Sequence, residues 1–512
     1  MRAKSRGRYF SLSMYREALV QLALPGFLLG GMLLAGTLLT SGNALSWYLA
    51  TAGTPDTYWY FAPDISEAWA LIPIYIWVAP FLFSILSFNF LTSRKKSDYY
   101  HALPLRREAL FFSYLAAIVT WLFATASVAM LLGGGVFVAG GIGVDWASIG
   151  IMGLEFMTAM LFAVSLAMLA VALSGTLFSN IVLINIFLWL PLLASTLFRR
   201  GVISMVPTLP QNAVSFFGLD ASITLFAAMR LIDFPEATTS LVDALWTLTI
   251  ALIILAVAAF FFVRRKSEMA GNSAASDRMQ ALYRIAVGLP PLLLIFSTAS
   301  LFSFLMLFSL SGITLLVASL MLMCTFELIS TKRWQNLLKV PLSLGIALAI
   351  SLVFSFSIWA VATYEASFTP SAEEIESVRI VGIPNEDRHF GHIDFLADLA
   401  DAGVGSGARQ KLLEFKEGEV LINDEAVKTT VAYQLDSNLS PVPIVPHLSF
   451  SLIDVLFFDD FMFSYDAQFI FEIRTTSGAT RQRVLNYGSY SWSDSRVRIN
   501  ELGEALIDAA SD

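Results

Sequence analysis

Long apolar stretches dominate residues 1–364 of the chain and alternate with short polar segments. A helix needs about 20 apolar residues to cross the hydrocarbon core of a bilayer. Stretches that contain no charged residue cover 18–40, 68–91, 109–139, 177–198, 285–326 and 340–364. Two further apolar stretches, 147–173 and 241–263, contain one acid each. The pattern therefore predicts a bundle of membrane-spanning helices.

The uncharged stretch 285–326 is too long for a single crossing of the bilayer. Ser309, Ser311 and Gly312 favour a turn inside it, so we expect one helix on each side of that turn. The two expected helices cover 285–308 and 312–329. The chain is then predicted to be an all-α polytopic membrane protein with about nine transmembrane helices.

Composition agrees with this reading, because the 512 residues are 56% hydrophobic and only 14% charged. In soluble domains about a quarter of all residues are charged, so a wholly soluble protein is excluded. An aromatic content of 13% also excludes a disordered chain.

Charge divides the chain into two unlike parts. Residues 1–364 hold 21 Lys and Arg against 15 Asp and Glu, whereas residues 365–512 hold 11 against 25. The acidic part has strand patterns and helical patterns of ordinary polarity. Strands are expected at 377–383 and 419–423, a hairpin at 468–474 and 480–487, and helices within 391–416 and 499–510. We therefore predict a C-terminal α+β domain.

Loop charge predicts the orientation, because Lys and Arg accumulate on the cytoplasmic side of a membrane. The N-terminal segment 1–16 holds five bases, and further bases lie in three inner loops of a nine-helix chain, at 94–107, 264–266 and 332–339. The loop 42–67 on the other side holds three acids and no base. Arg199 and Arg200 are the exception, since they are expected outside. The N-terminus is predicted to be cytoplasmic and the C-terminal domain extracytoplasmic. The uncharged stretch 18–40 is longer than a signal-peptide core and is expected to be the first transmembrane helix.

The loop between the second and third helices, Ser93 to Glu108, combines bases with aromatic residues. Ser97 can cap a helix that starts at Asp98, and Pro104 is expected to stop it after Leu103. Tyr99, Tyr100 and His101 are expected to project from this short helix. One reading is a basic loop that fixes the topology and binds anionic lipid; the other is a docking element for a partner.

The same loop resembles the loop after the second helix of ABC-2-type transporter permeases. The residues that match the family pattern are Asp98, Tyr100, His101, Leu103, Pro104 and Arg106. The resemblance implies that the loop forms a coupling helix on which an ATPase subunit docks. The implied coupling residues are Ser97, Asp98, Tyr99, Tyr100, His101, Leu103, Pro104, Arg106 and Arg107. It further implies a six-helix ABC-2-like core at 1–265, followed by three added helices at 266–364 and the outer domain at 365–512.

No phosphate-binding loop occurs in the sequence, so we expect no enzyme activity and no cofactor on this chain. ATP and Mg²⁺ are expected on a separate ABC ATPase subunit. The resemblance implies a second permease copy, in a homodimer or a heterodimer, within a bacterial inner membrane. Export of an amphipathic or peptide-like substrate follows from it. Membrane lipid is an expected partner, and nucleic acid is not.

Polar groups within the apolar segments are candidates for a translocation path. Glu155 lies deepest, although an acid buried for structural reasons is an equal reading. Asp243 and Glu327 lie near helix ends and are expected to reach the interface. The segment 199–240 predicts re-entrant pieces or an amphipathic surface hairpin. The candidate path residues are Glu155, Asn185, Gln211 and Asn212.

Metal chemistry finds little support in the sequence. His389 and His392 have a possible zinc spacing, but no cysteine or further pattern accompanies them, so no metal site is predicted. The apolar side chains within Phe457–Phe463 can fill the core of the acidic domain or contact the membrane or a partner. The sequence thus leaves a second function open, a non-transporting membrane anchor whose acidic outer domain senses a ligand.

Overall fold

The fold is described from a computed structural model of the chain. The residues it describes are 9–51, 69, 71–102, 105–210, 241–296, 310–382, 422, 424–437, 466–491, 496–499, 501–502 and 504–506. Several predictions fall outside these residues, so they stay predictions. They concern the first four bases of the N-terminus, Ser309, the pair His389 and His392, the helices within 391–416, and Phe457–Phe463.

Twelve α-helices are present in the described part of the chain. They are α1 Leu12–Gln21, α2 Ala23–Thr51, α3 Leu71–Ser87, α4 Arg94–Ala102, α5 Arg107–Ala139, α6 Trp146–Leu173, α7 Leu177–Met205, α8 Leu241–Arg264, α9 Asp277–Phe296, α10 Leu310–Thr331, α11 Val340–Ala366 and α12 Glu425–Ser437. Short 3-10 helices lie at Asn89–Thr92, Ser267–Met269, Trp334–Lys339 and Ala372–Glu374.

Eight of the described helices are long and apolar enough to cross a membrane, which confirms a polytopic helical membrane protein. They are α2 and the seven helices from α5 to α11. The helix α3 is apolar but has 17 residues, fewer than the about 20 that a perpendicular crossing needs. That α3 forms a ninth crossing therefore stays a prediction.

Two details of the predicted helices are wrong. The helix α10 already begins at Leu310, so Ser311 and Gly312 lie in its first turn and not in a turn before it. The helix α7 runs to Met205, so Arg199 and Arg200 lie within its last two turns. Arg199 is 7% exposed, so it is a buried residue of this helix and not a loop base.

The chain divides into two compact units. Unit 1 comprises residues 1–191, 218–288 and 320–345, and unit 2 comprises 192–217, 289–319 and 346–512. In unit 1, α6 packs against α3 and α8, while α5 packs against α1 and α2. Large aromatic side chains are fully buried in this core. They include Phe83, Phe88, Phe111, Tyr114 and Phe262.

Unit 2 contains an antiparallel sheet with the strand order β1-β2-β3-β4. Its strands are β1 Ile375–Gly382, β2 Asp466–Thr475, β3 Thr480–Ser491 and β4 Arg496–Ile499. The predicted strand near 377 and the predicted hairpin are present, and Gly478 takes a positive φ of 85° in the hairpin turn. Sequence analysis missed α12 and β4. Ile422 forms an isolated bridge to Val378, at the place of the strand expected at 419–423.

Arg483 joins the sheet to the end of α11. Its guanidinium donates hydrogen bonds of 3.0 Å to the backbone carbonyl and to the carboxylate Oε2 of Glu365. The same group lies 5.1 Å from the ring centre of Phe368. Burial lowers the pKa of the Arg483 guanidinium, and the charge of Glu365 raises it again. The sheet is thus attached to the last apolar helix by a buried ion pair.

Candidate functional site

The helix α4 occupies the predicted coupling loop but begins earlier than expected. It starts at Arg94 and not at Asp98. Ser97 is therefore not the N-cap; its amide donates to the carbonyl of Ser93 at 2.8 Å, and its side chain is fully buried. The prediction failed because basic residues at 94–96 were assigned to a loop, although Arg and Lys are good helix formers. Leu103 and Pro104 lie outside the described residues.

Tyr100 holds one face of α4 against the rest of unit 1. Its ring stacks on Phe90 with 4.1 Å between the ring centres, and its hydroxyl donates to Glu17 Oε1 at 3.0 Å. The Tyr114 hydroxyl donates to the Tyr100 oxygen at 3.4 Å. Burial raises the pKa of the Tyr100 phenol above its ordinary value. Tyr100 thus links α4 to α1 and α5.

The opposite face of α4 is exposed. Lys95, Lys96 and Asp98 lie at the surface, and Tyr99 is 65% exposed. The side chain of His101 is outside the described part of the structure. Tyrosine is one of the residues enriched in protein interfaces, so the exposed Tyr99 is a candidate contact for a partner.

Two basic residues of the predicted coupling set play different parts. Arg107 donates hydrogen bonds to the backbone carbonyls of Val263, at 3.0 Å, and of Arg265. It therefore neutralises the negative C-terminal end of α8. Arg106 is exposed, and its guanidinium lies 5.5 Å from the ring centre of Tyr9. Arg107 is thus a structural residue, and Arg106 remains available at the surface.

Arg265 is a structural residue that the sequence analysis counted only as loop charge. It is 3% exposed, and its guanidinium donates to the backbone carbonyls of Val171 and, at 3.0 Å, of Leu91. These carbonyls lie at the ends of α6 and of the 3-10 helix after α3. Burial lowers the pKa of Arg265 to about 10, which leaves it charged at neutral pH. The sequence did carry a signal for this role, because Arg265 directly follows the last turn of a helix, where a base stabilises the helix end.

Close backbone contact joins two loops beside Arg265. The Gly271 amide donates to the Gly175 carbonyl at 2.8 Å. A Cβ at Gly175 would overlap the backbone carbonyl oxygens of Met269 and Asn272. Only glycine fits at this position, because the overlapped atoms belong to the backbone and cannot rotate away.

These contacts meet at one end of unit 1, which we call the basic face. It is formed by residues 89–102, 105–107, 171–176 and 263–272. Arg94 completes it by donating from Nε to the carbonyl of Ala270 at 3.2 Å. The basic face is chemically suited to docking, because a fixed frame that includes the buried Arg265 and the half-buried Arg107 carries one exposed helix.

The structure describes two of the four candidate path residues, Glu155 and Asn185. Glu155 is half-buried in α6. Asn185 is exposed on α7, and its amide donates to the carbonyl of Ile181 in its own helix at 2.8 Å. Gln211 and Asn212 lie outside the described residues. The translocation path therefore stays a prediction.

A buried polar network links α9, α10 and α11. Arg284 Nη1 lies 3.3 Å from Glu327 Oε2, and the two side chains are 3% and 1% exposed. Gln280 donates to the same carboxylate oxygen at 3.1 Å, and Arg284 Nε donates to Ser343 Oγ at 2.8 Å. Ser273 donates to the Gln280 side-chain oxygen at 2.7 Å.

The network corrects the prediction that Glu327 reaches the membrane interface. Glu327 is buried because Arg284 and Gln280 provide partners that satisfy its charge. Sequence analysis missed the pair, although a signal was present. Arg284 and Glu327 are the charges that flank the uncharged stretch 285–326, and a helical hairpin brings the two ends of such a stretch together.

Among the described residues, no group of three or more His, Cys, Asp or Glu side chains could hold a metal ion. Comparison of the chain with protein-family models, with curated proteins and with solved structures found no match. Function is therefore inferred from the residues and contacts of the chain itself.

Proposed function

We propose that the chain is the membrane-spanning permease subunit of an ATP-driven ABC exporter. The proposal is supported by the resemblance of residues 93–108 to the coupling loop of ABC-2-type permeases. It is also supported by the position of that loop, between the apolar helices α3 and α5. The ATPase is a separate polypeptide that binds ATP and Mg²⁺.

The observation that carries the proposal is the difference between the two faces of α4. One face exposes Asp98 and Tyr99. The other carries Tyr100, which donates to Glu17. Arg94, the exposed first residue of the helix, adds a hydrogen bond to the Ala270 carbonyl. A helix that only marks topology needs exposed charge, but it does not need such contacts to α1, α5 and the loop after α8. These contacts suit a helix that receives force from a partner.

In this mechanism the ATPase binds the exposed face of α4, and its closure on ATP displaces that helix. The hydrogen bond from Tyr100 to Glu17 passes the displacement to α1, and the contact of Arg94 passes it to the loop after α8. Arg265 and Arg107 keep the ends of α6 and α8 together during the movement. Two permease copies enclose the path of an amphipathic or peptide-like substrate. The N-terminus faces the cytoplasm of a bacterial cell.

Co-purification tests the proposed partner. The chain, tagged and extracted in mild detergent, is expected to retain an ABC ATPase, and Tyr99→Ala is expected to reduce the retained amount. Tyr433→Ala is the matched control, because Tyr433 lies on α12 of the C-terminal domain and is also 65% exposed. Equal retention by both variants contradicts docking through α4.

A non-transporting anchor with a sensing domain is the second candidate. The ion pair of Arg483 with Glu365 favours it, because a ligand that shifts the sheet would move the end of α11 directly. This function needs no ATPase. A chain that retains no ATPase, and keeps its cellular phenotype after Tyr99→Ala, supports the sensor instead of the permease.

A further inference from the structure

The turn between α10 and α11, residues 332–339, exposes apolar side chains at the end of two candidate membrane helices. Trp334 is 76% exposed and Leu338 is 86% exposed. None of the six residues of the 3-10 helix Trp334–Lys339, all of them described, is buried. The protein therefore exposes an indole and a leucyl side chain where α10 ends and α11 begins.

The same turn carries positive charge. Lys332, Arg333 and Lys339 lie within eight residues, and all three are exposed. Arg278, at the start of α9, is exposed as well. The neighbouring acid is Asp277, whose Oδ2 lies 3.3 Å from Lys339 Nζ. Among the described residues of the turn and of the first two positions of α9, four are bases and one is an acid.

Residues of α9 hold the two ends of the turn in place. Gln280 Nε2 donates to Ser330 Oγ at 2.8 Å, which fixes the end of α10. Arg284 Nε donates to Ser343 Oγ at 2.8 Å, which fixes the start of α11. The buried pair of Arg284 and Glu327 stands behind both contacts. The bases of the turn are therefore presented by a preorganised frame and do not have to be ordered when a ligand binds.

Lys332 ends α10 in a conformation that glycine usually adopts. Its φ is 57°, in the left-handed region, and its amide donates to the Leu328 carbonyl at 2.9 Å. A side chain in this region is strained relative to glycine. A base therefore stands where glycine would suit the backbone better, which points to a use for its charge.

We propose that the 332–339 turn binds the headgroups of anionic phospholipids. Tryptophan and basic residues at the end of a membrane helix lie at the level of the headgroups. A group of four or more bases next to such a helix attracts anionic lipid. The indole of Trp334 and the side chain of Leu338 enter the boundary with the acyl chains, and the four bases neutralise the phosphate charge. The result is a lipid site on the added helices, separate from α4.

Fluorescence quenching in vesicles tests this site. The signal of Trp334 is the difference between the full-length chain and its Trp334→Phe variant. Vesicles of phosphatidylcholine contain a minor fraction of phosphatidylglycerol, and either lipid carries bromine on its acyl chains. Brominated phosphatidylglycerol is expected to quench Trp334 beyond its share of the bilayer, whereas brominated phosphatidylcholine is expected to quench below its share.

Charge variants separate headgroup binding from simple burial of Trp334. Lys332→Gly is expected to lower the enrichment of phosphatidylglycerol about fivefold. It relieves the strained backbone, so unfolding does not explain the loss. Arg474→Gln is the control, since Arg474 is an exposed base of the C-terminal sheet, and it is expected to change nothing. Quenching in proportion to the bulk composition overturns the proposal, and so does an absence of quenching by either lipid.

Discussion

Arg284 of α9 and Glu327 of α10 form an ion pair of 3.3 Å that is almost completely hidden from solvent. Their sequence neighbours pack in a different direction. Tyr283 donates to the Leu173 carbonyl at 3.0 Å, and Phe326 stacks on Phe178 with 6.0 Å between the ring centres. The ion pair therefore closes the hairpin of α9 and α10, while the adjacent aromatic residues hold that hairpin on α6 and α7.

Removing one charge of this pair is expected to be costly. Glu327→Gln leaves Arg284 buried without a counter-charge, so we expect a loss of about 3–5 kcal/mol of unfolding free energy. Lys339→Gln breaks the pair with Asp277, whose members are 53% and 94% exposed, and is expected to cost about 0–1 kcal/mol. Both changes are measured by denaturation in detergent, with the loss of the helix signal as the readout.

The exchanged variant Arg284→Glu with Glu327→Arg completes the test. If the pair acts through its charges, the exchange restores part of the stability that either single substitution removes. An exchange that is as damaging as the sum of the two single changes indicates that packing, and not charge, is the cause.

Gly175 is expected to tolerate no side chain. Gly175→Ala places a Cβ against the carbonyls of Met269 and Asn272, so we expect a loss of about 1–3 kcal/mol as the loops separate. Gly150 in α6 has open space where a Cβ would stand. Gly150→Ala is therefore expected to change the unfolding free energy by no more than about 1 kcal/mol. Thermal unfolding of the two variants side by side decides the matter, and equal melting temperatures contradict the close contact.

Tyr100 is expected to act through its hydroxyl. Tyr100→Phe keeps the stacking on Phe90 but removes the hydrogen bond to Glu17, so we expect a loss of about 1 kcal/mol. Glu17→Gln in addition is expected to cost little more, because the bond is already absent. Tyr99→Phe is the control, since that side chain is largely exposed. Fully additive effects of the Tyr100 and Glu17 changes would argue against a direct bond.

Arg483 is expected to hold the C-terminal sheet on α11. Arg483→Met removes the ion pair with Glu365, so the segment between α11 and β1 is expected to become sensitive to limited proteolysis. Arg474→Met is the matched change on the exposed face of the sheet, where the pair of Arg474 with Glu376 is 60% and 50% exposed. It is expected to leave the cleavage rate unchanged. Identical rates for the two variants contradict the attachment.

The predicted topology can be tested with single cysteines. Cys324 is replaced by Ala, and Tyr99→Cys or Tyr433→Cys is introduced, since both side chains are 65% exposed. A reagent that does not cross membranes is expected to label the cysteine at 433 in intact cells and the one at 99 only after permeabilisation. Labelling of both in intact cells contradicts the predicted orientation.

Sequence predicted the apolar helices well, because a stretch of about 20 apolar residues has few other solutions. It also placed the hairpin of β2 and β3, where alternating residues flank Gly478. Helix boundaries were less reliable. The start of α4 was missed because its first residues, Arg94 and Lys95, were read as loop charge.

Sequence could not assign the roles of individual bases. Arg107 and Arg265 look like ordinary loop charges, yet each binds carbonyls contributed by distant segments of the chain. Such contacts depend on which helix ends meet, and this information is long-range. The pair of Arg284 and Glu327 was missed as well, although the uncharged stretch between them already implied a hairpin.

ATP hydrolysis by the partner subunit tests the central claim most directly. The chain and the ATPase that co-purifies with it are reconstituted in lipid vesicles, and the hydrolysis rate is measured with the native chain, with Tyr99→Ala and with Tyr433→Ala. We expect the native chain and Tyr433→Ala to stimulate hydrolysis equally. Tyr99→Ala is expected to lower this stimulation about tenfold or more. A hydrolysis rate that is the same with all three chains, and the same without any of them, contradicts coupling through α4.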